Sequence, residues 1–204
     1  MREFTIQENR YLSRDITAFY HSEYVGYKKL GNPDYINTLK NTFEAPAHSL
    51  QAAVKELEKV LLEDLPQVYK LLKLKSPTIC VVPRAKVNYR PDQLLFKSTV
   101  RAVIKKLDYF RDGANYIVRR IDTKTTHLKN VDNIDNDGPT PYPGITTETC
   151  AISSNAIKGK DILLIDDIYT KTINIDEDAI QALLDNGAKS VAFYAVGRTS
   201  RLKE

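Results

Sequence analysis

In SLQAAVKELEKVLLEDL, apolar Leu50, Ala53, Val54, Leu57, Val60 and Leu61 recur at helical spacing, with Ser49 standing where an N-cap would. Pro66 predicts a kink or a break in this helix before QVYKLLK. TICVVP is a short β-branched run ending at Pro83 and predicts a buried strand. DQLLFKSTVRAVIKKLDYF puts Leu94, Leu95, Val100, Val103, Ile104 and Leu107 on one helical face, and YIVRR predicts another strand. DILLID is the strongest strand pattern in the chain. The helix after it carries Ile180, Leu183 and Leu184 and stops at Asn186-Gly187, a C-cap pair; SVAFYAV supplies a further strand.

Two stretches lack this regularity. Residues 1–48 mix aromatics with polar residues between Gly31, Pro33 and Pro46, and predict short strands and one or two helical turns forming a small N-terminal hood or edge. Residues from about 121 to 158 are polar and rich in Thr, Asn, Asp, Gly and Pro. A structureless loop of that length is uncommon unless it serves as a lid, so this stretch is expected to be a flexible functional loop, with Thr123 to Pro143 its most mobile part and room for a hairpin. Strand, helix, strand, long excursion, strand, helix, strand predicts an α/β fold with an open, mostly parallel twisted sheet flanked by helices over residues 49–204.

The 204 residues, 42% hydrophobic and 27% charged, exclude fibrous, low-complexity and disordered classes. The net charge of +4 is too small to name a partner, but its distribution is uneven. Arg84 to Lys129 holds 12 basic residues against four acidic ones, whereas Asp161 to Asp185 holds seven acids against Lys171. A site drawing on both segments joins cations to carboxylates. Cys80 and Cys150 are the only cysteines, so neither a disulfide framework nor a zinc site is supported and a reduced, cytoplasmic setting is expected. No run approaches the roughly 20 apolar residues of a membrane span, and the charged N-terminus has no apolar secretion core. His21, His48 and His127 are scattered, and Cys80 reads as a core residue.

Ligands of open α/β sheets bind outside the carboxyl ends of the strands, which singles out three tips: Pro83-Arg84-Ala85-Lys86, Arg119-Arg120 and Asp166-Asp167. The last is the most informative. Paired carboxylates can accept hydrogen bonds from a vicinal diol, and the turn and helix start that follow can hold a phosphate, so a sugar phosphate matches both. The alternative is structural, with Asp166 ending the strand and Asp167 a solvated turn residue.

The run ILLIDDIYTKTINIDEDAIQALLDNGAKSV, followed by VGRT, resembles the phosphoribosyl pyrophosphate (PRPP) motif of type I phosphoribosyltransferases, in particular ComF-like and amidophosphoribosyltransferase-like members. CVVPRAK resembles the family's pyrophosphate loop and YIVRRIDTKTTHLKN the opening of its flexible loop, so the likeness spans roughly residues 78–199. It implies transfer of phosphoribose from PRPP to a nitrogenous acceptor with release of pyrophosphate. Asp166 and Asp167 would bind the ribose hydroxyls, and Thr170, Lys171, Thr172 and Asn174 would wrap the 5′-phosphate. Arg84 and Lys86 would face the pyrophosphate, with Arg119, Arg120 and Lys124 closing over it. Mg²⁺ would be held through PRPP near Asp166 and Asp167. The family pattern is close to D-D-x-x-T-T-G-x-T, and here Thr172 stands in the glycine's place while Asp176, Glu177 and Asp178 crowd the helix start, where they would repel a phosphate. That departure supports an alternative, a non-catalytic protein binding a nucleotide or phosphoribosyl ligand. A nucleic-acid partner for the basic segment is the least favoured reading; a homodimer is compatible with all three.

Overall fold

The computed structural model describes residues 1–125, 138–140 and 144–200. Its centre is a six-stranded mixed sheet ordered β1-β2-β8-β7-β3-β4. These strands are β1 (Arg2–Ile6), β2 (Ile16–Tyr24), β3 (Thr78–Val81), β4 (Arg111–Asp112), β7 (Asp161–Tyr169) and β8 (Ser190–Thr199). Only the β1–β2 pair is antiparallel. The architecture is therefore α/β with a mostly parallel sheet, and the N-terminal residues supply two of its strands.

Alternation along the strands divides the core between the sheet's two faces. Ile79, Val81, Leu163, Ile165 and Tyr194 face α1 (Tyr35–Lys40), α2 (Ala47–Leu72) and α3 (Leu95–Lys106). Cys80, Ile162, Leu164 and Phe193 face α5 (Ile175–Asp185) and the short α4 (Ser154–Ile157). Burial on both faces is why TICV and DILLI read as unbroken apolar runs. At the end of α5 Asn186 is the C-cap and Gly187 has φ +85°, the left-handed position expected there.

Two expectations for α2 need correction. The helix starts at Ala47 behind Pro46, whose carbonyl accepts the Ser49 and Leu50 amides, so Ser49 lies inside it. It also runs undivided through Pro66 to Leu72, so the expected break does not occur. An interior proline costs about 3 kcal/mol, but Leu65 and Val68 on either side are fully buried, at about 1.5–3 kcal/mol each, and hold the turn in place.

YIVRR also departs from expectation. β5 (Ile117–Arg119) lies outside the main sheet and pairs antiparallel with β6 (Cys150–Ile152) as a separate ribbon. The edge position beside β3 goes to β4 instead. Gly113 follows β4 at a close crossing, since a Cβ there would come within 2.5 Å of Thr78 Cγ2. Of the expected loop of about 121–158, the part at 150–152 is β6, which pairs with β5 just before that stretch. Thr123 is buried, and its amide donates to Ala85 O at 2.8 Å. Lys124 N donates to Pro139 O at 2.9 Å. Residues 126–137 and 141–143, including His127 and most of the stretch expected to be mobile, lie outside the described residues. Among the described residues no helix is long and apolar enough to cross a membrane.

Candidate functional site

The carboxyl ends of β3, β7 and β8 open into a cavity of about 370 Å³. Asp166, Asp167, Arg84, Lys40, Thr170 and Asp176 are among its lining residues. The parallel pairing of β3 with β7 places the Arg84 loop beside the two aspartates, and the Val82 amide donates to Ile165 O at 3.0 Å to hold that register.

β7 continues through Asp166 and Asp167 to Tyr169, so neither aspartate ends the strand and the polar turn begins at Thr170. Both carboxyls are half-buried. Asp167 Oδ2 lies 3.2 Å from Lys40 Nζ. Asp166 Oδ1 accepts the Asp167 amide at 2.7 Å, and its carboxyl shares a hydrogen bond with that of Asp176. Burial, and then the Asp167 charge, push Asp166 up to about 7. Burial and the Asp166 charge raise Asp176 well above the usual carboxyl range. The two therefore hold a proton between them, and Asp176 Oδ1 is buried without a hydrogen-bond partner among the described residues.

The expected crowding of the phosphate loop by acids is not what the structure shows. Asp176, Glu177 and Asp178 are all buried. Tyr169 OH donates to Glu177 Oε1 at 3.0 Å, and the Gly144 amide donates to Asp178 Oδ2 at 2.8 Å. Burial raises Glu177 and pushes Asp178 up to about 6. Two of the three acids are thus sequestered behind the turn. Only Asp176 reaches the cavity.

The turn itself is divided. Thr170 lines the cavity and its hydroxyl lies 2.7 Å from that of Thr199 at the tip of β8. Lys171 and Thr172 are exposed and do not line it. Asn174 has φ +58°, whereas Thr172 does not have a positive φ, so the residue needing conformational freedom is 174 rather than 172.

Arg84 donates to Gln93 O and stacks on Tyr89, with 4.1 Å from its guanidinium carbon to the ring centroid. Lys86 lines an adjoining cavity of about 200 Å³ that shares Arg84, Asp166 and Asp167 with the first. Arg119 reaches this second cavity, but its guanidinium donates to two carbonyls, Arg84 O at 3.1 Å and Gly144 O, and is 7% exposed. It ties the ribbon to the Arg84 loop. Arg120 and Lys124 are exposed and line neither cavity.

Lys40, Tyr24, Tyr89 and Thr199 were not singled out in the sequence, although all four line the larger cavity. Thr199 had a readable signal, since it lies at the carboxyl end of the strand pattern that begins with SVAFYAV. No protein-family model matches the chain, and neither does any curated protein.

Proposed function

We propose that this cleft binds PRPP and transfers its phosphoribosyl group to a nitrogenous acceptor, releasing pyrophosphate. The observation that carries the reading is the adjacency of Asp166 and Asp167 on central β7 to Arg84 in the loop after neighbouring β3, all lining one cavity. The ribose hydroxyls donate to the two carboxylates, and the Thr170 and Thr199 hydroxyls with the amides opening α5 receive the 5′-phosphate. Arg84 sits where the departing pyrophosphate gathers charge. No protein nucleophile is required, because positioning and charge neutralisation lower the barrier to a cationic sugar transition state.

Mg²⁺ fits this donor set. Among the described residues no cluster of three or more ligating side chains would form a protein-only metal site, whereas two carboxylates suit an ion that takes its other oxygens from phosphates and water. When bound it neutralises pyrophosphate charge; Asp166 and Asp167 are the residues that would hold it.

A second reading, ligand binding without transfer, draws on Arg120 and Lys124 standing outside the cavity. A nucleic-acid partner has less support, because Arg101 and Lys106 in the basic helix already pair with Asp112 and Glu58. Calorimetric titration with PRPP, with and without Mg²⁺, tests the site: Asp167→Ala should weaken Mg²⁺-dependent binding by about tenfold or more. Unchanged binding would refute it. Pyrophosphate release with a panel of nitrogenous acceptors then separates transfer from binding alone.

A further inference from the structure

The second cavity joins the first across Arg84, Asp166 and Asp167, yet its walls are of a different kind. Leu94, Phe96, Ile117 and Val118 supply apolar surface, with the Tyr89 ring at the shared boundary. Leu94 and Val118 keep 38% and 44% of their surface exposed, so the walls are apolar surface open to a ligand. At about 200 Å³ the chamber is below the roughly 300–1,000 Å³ of pockets for drug-sized ligands, so one small ring system fits. Phe96 and Tyr89, the latter with Arg84 over its ring, line the chamber, and aromatic walls favour a planar occupant.

One cation here has no partner. Lys97 enters from the first turn of α3, is half-buried, and has no hydrogen bond or ion pair with any described residue. The carboxylate whose field reaches it, Asp112, is held by Arg101 at 2.8 Å, and Asp167 is held by Lys40. Burial and the neighbouring Arg101 charge lower the Lys97 pKa, as expected for an ammonium that lacks a counter-ion. Arg119 and Arg84 already donate to carbonyls, Lys40 pairs with Asp167 and Lys86 is engaged as well, which leaves Lys97 as the cation in need of an acceptor.

We infer that this chamber is the acceptor subsite of the transfer reaction proposed above, and that it takes an aromatic acid: a small planar nitrogenous ring bearing a carboxylate. The ring lies between the apolar walls, the carboxylate meets Lys97, and the reacting nitrogen is directed across Asp166 and Asp167 towards the sugar. This rests on the phosphoribosyl reading of the larger cavity.

The full chain is titrated with benzoate and with its neutral isostere benzamide, in the absence of PRPP, by ligand-observed NMR. Benzoate is expected to bind about tenfold or more tightly than benzamide. Lys97→Gln should erase the preference while leaving PRPP affinity unchanged, and Lys97→Glu should reverse it towards benzylamine. Equal binding of benzoate and benzamide by the wild type, or a preference that survives Lys97→Gln, overturns the inference. Displacement of benzoate by inorganic pyrophosphate also overturns it, since the chamber would then belong to the leaving group. A wild type that prefers benzoate but fails to bind PRPP refutes the phosphoribosyl reading instead, and with it the chamber's role as acceptor site.

Discussion

Replacing Asp176 by asparagine should stabilise the ligand-free protein at pH 8 and not at pH 5. In the wild type Asp166 and Asp176 share a hydrogen bond that requires a proton, and Asp166 is pushed up to about 7 from its ordinary 3.8. A carboxyl whose pKa is raised on folding contributes stability that is full below the unfolded value and is lost as pH rises through the folded value. The window is therefore about 3.8 to 7. Asp176, raised well above the usual carboxyl range by its own burial and the Asp166 charge, likewise keeps in the folded state a proton that the unfolded chain has released, at about 1 kcal/mol per pH unit. Because Asp166, raised by burial and Asp167, still titrates in the variant, the part removed with Asp176 is about 1–2 kcal/mol. In the Asp176→Asn protein the side-chain amide would donate to Asp166, and the Asp176 share of the titration disappears while that of Asp166 remains. For a chain of this length the gain corresponds to about 2–8 °C in Tm. Thermal denaturation from pH 5 to 8.5 reads it directly. An Asp176→Asn protein that melts lower than the wild type at pH 8, or shifts equally at every pH, refutes the shared proton.

Two further outcomes test the turn and the ribbon. Asn174→Gly should keep or raise Tm because position 174 is left-handed, whereas Thr172→Gly should lower stability by about 0.5–1 kcal/mol, since its backbone gains only unfolded-state freedom; equal melting shifts in the two variants would contradict this. Arg119→Lys should cost about 1.5–3 kcal/mol, because an ammonium cannot bridge Arg84 O and Gly144 O in the same fork. Unchanged melting together with lost pyrophosphate release would show Arg119 acting on the leaving group rather than as a strut.

What the sequence disclosed follows from how far each feature depends on distant chain. Residues 162–165 announce their strand because all four are apolar and buried, and the same rule for strand tips finds Asp166, Asp167 and Arg84. The partner of β5 is a different matter. Its three residues carry strand propensity, but their register is set by Cys150–Ile152 more than 30 positions later. Lys40 was hidden for a similar reason: α1 reaches the cavity only because β2 joins the sheet beside β8. Asp176 was visible as a charge but not as a partner, since its proximity to Asp166 depends on how residues 170–174 turn back.

The uneven charge along the chain gains its meaning from one strand pairing. β3 and β7 are separated by the whole excursion from 82 to 160, and their parallel register sets the first basic-segment tip against the acidic one. The result is a cleft with Arg84 on one wall and Asp166 and Asp167 on the next, each partly withdrawn from water. A uniformly anionic polymer would place phosphates against both carboxylates, and that repulsion would offset each contact made with Arg84. A ligand whose anionic groups are separated by hydroxyls satisfies both walls at once, because the hydroxyls donate where the phosphates cannot approach. The same division explains why Asp176 can remain next to a phosphate-binding turn: while it shares its proton with Asp166 the pair carries one negative charge rather than two, and the turn beside it is spared the second.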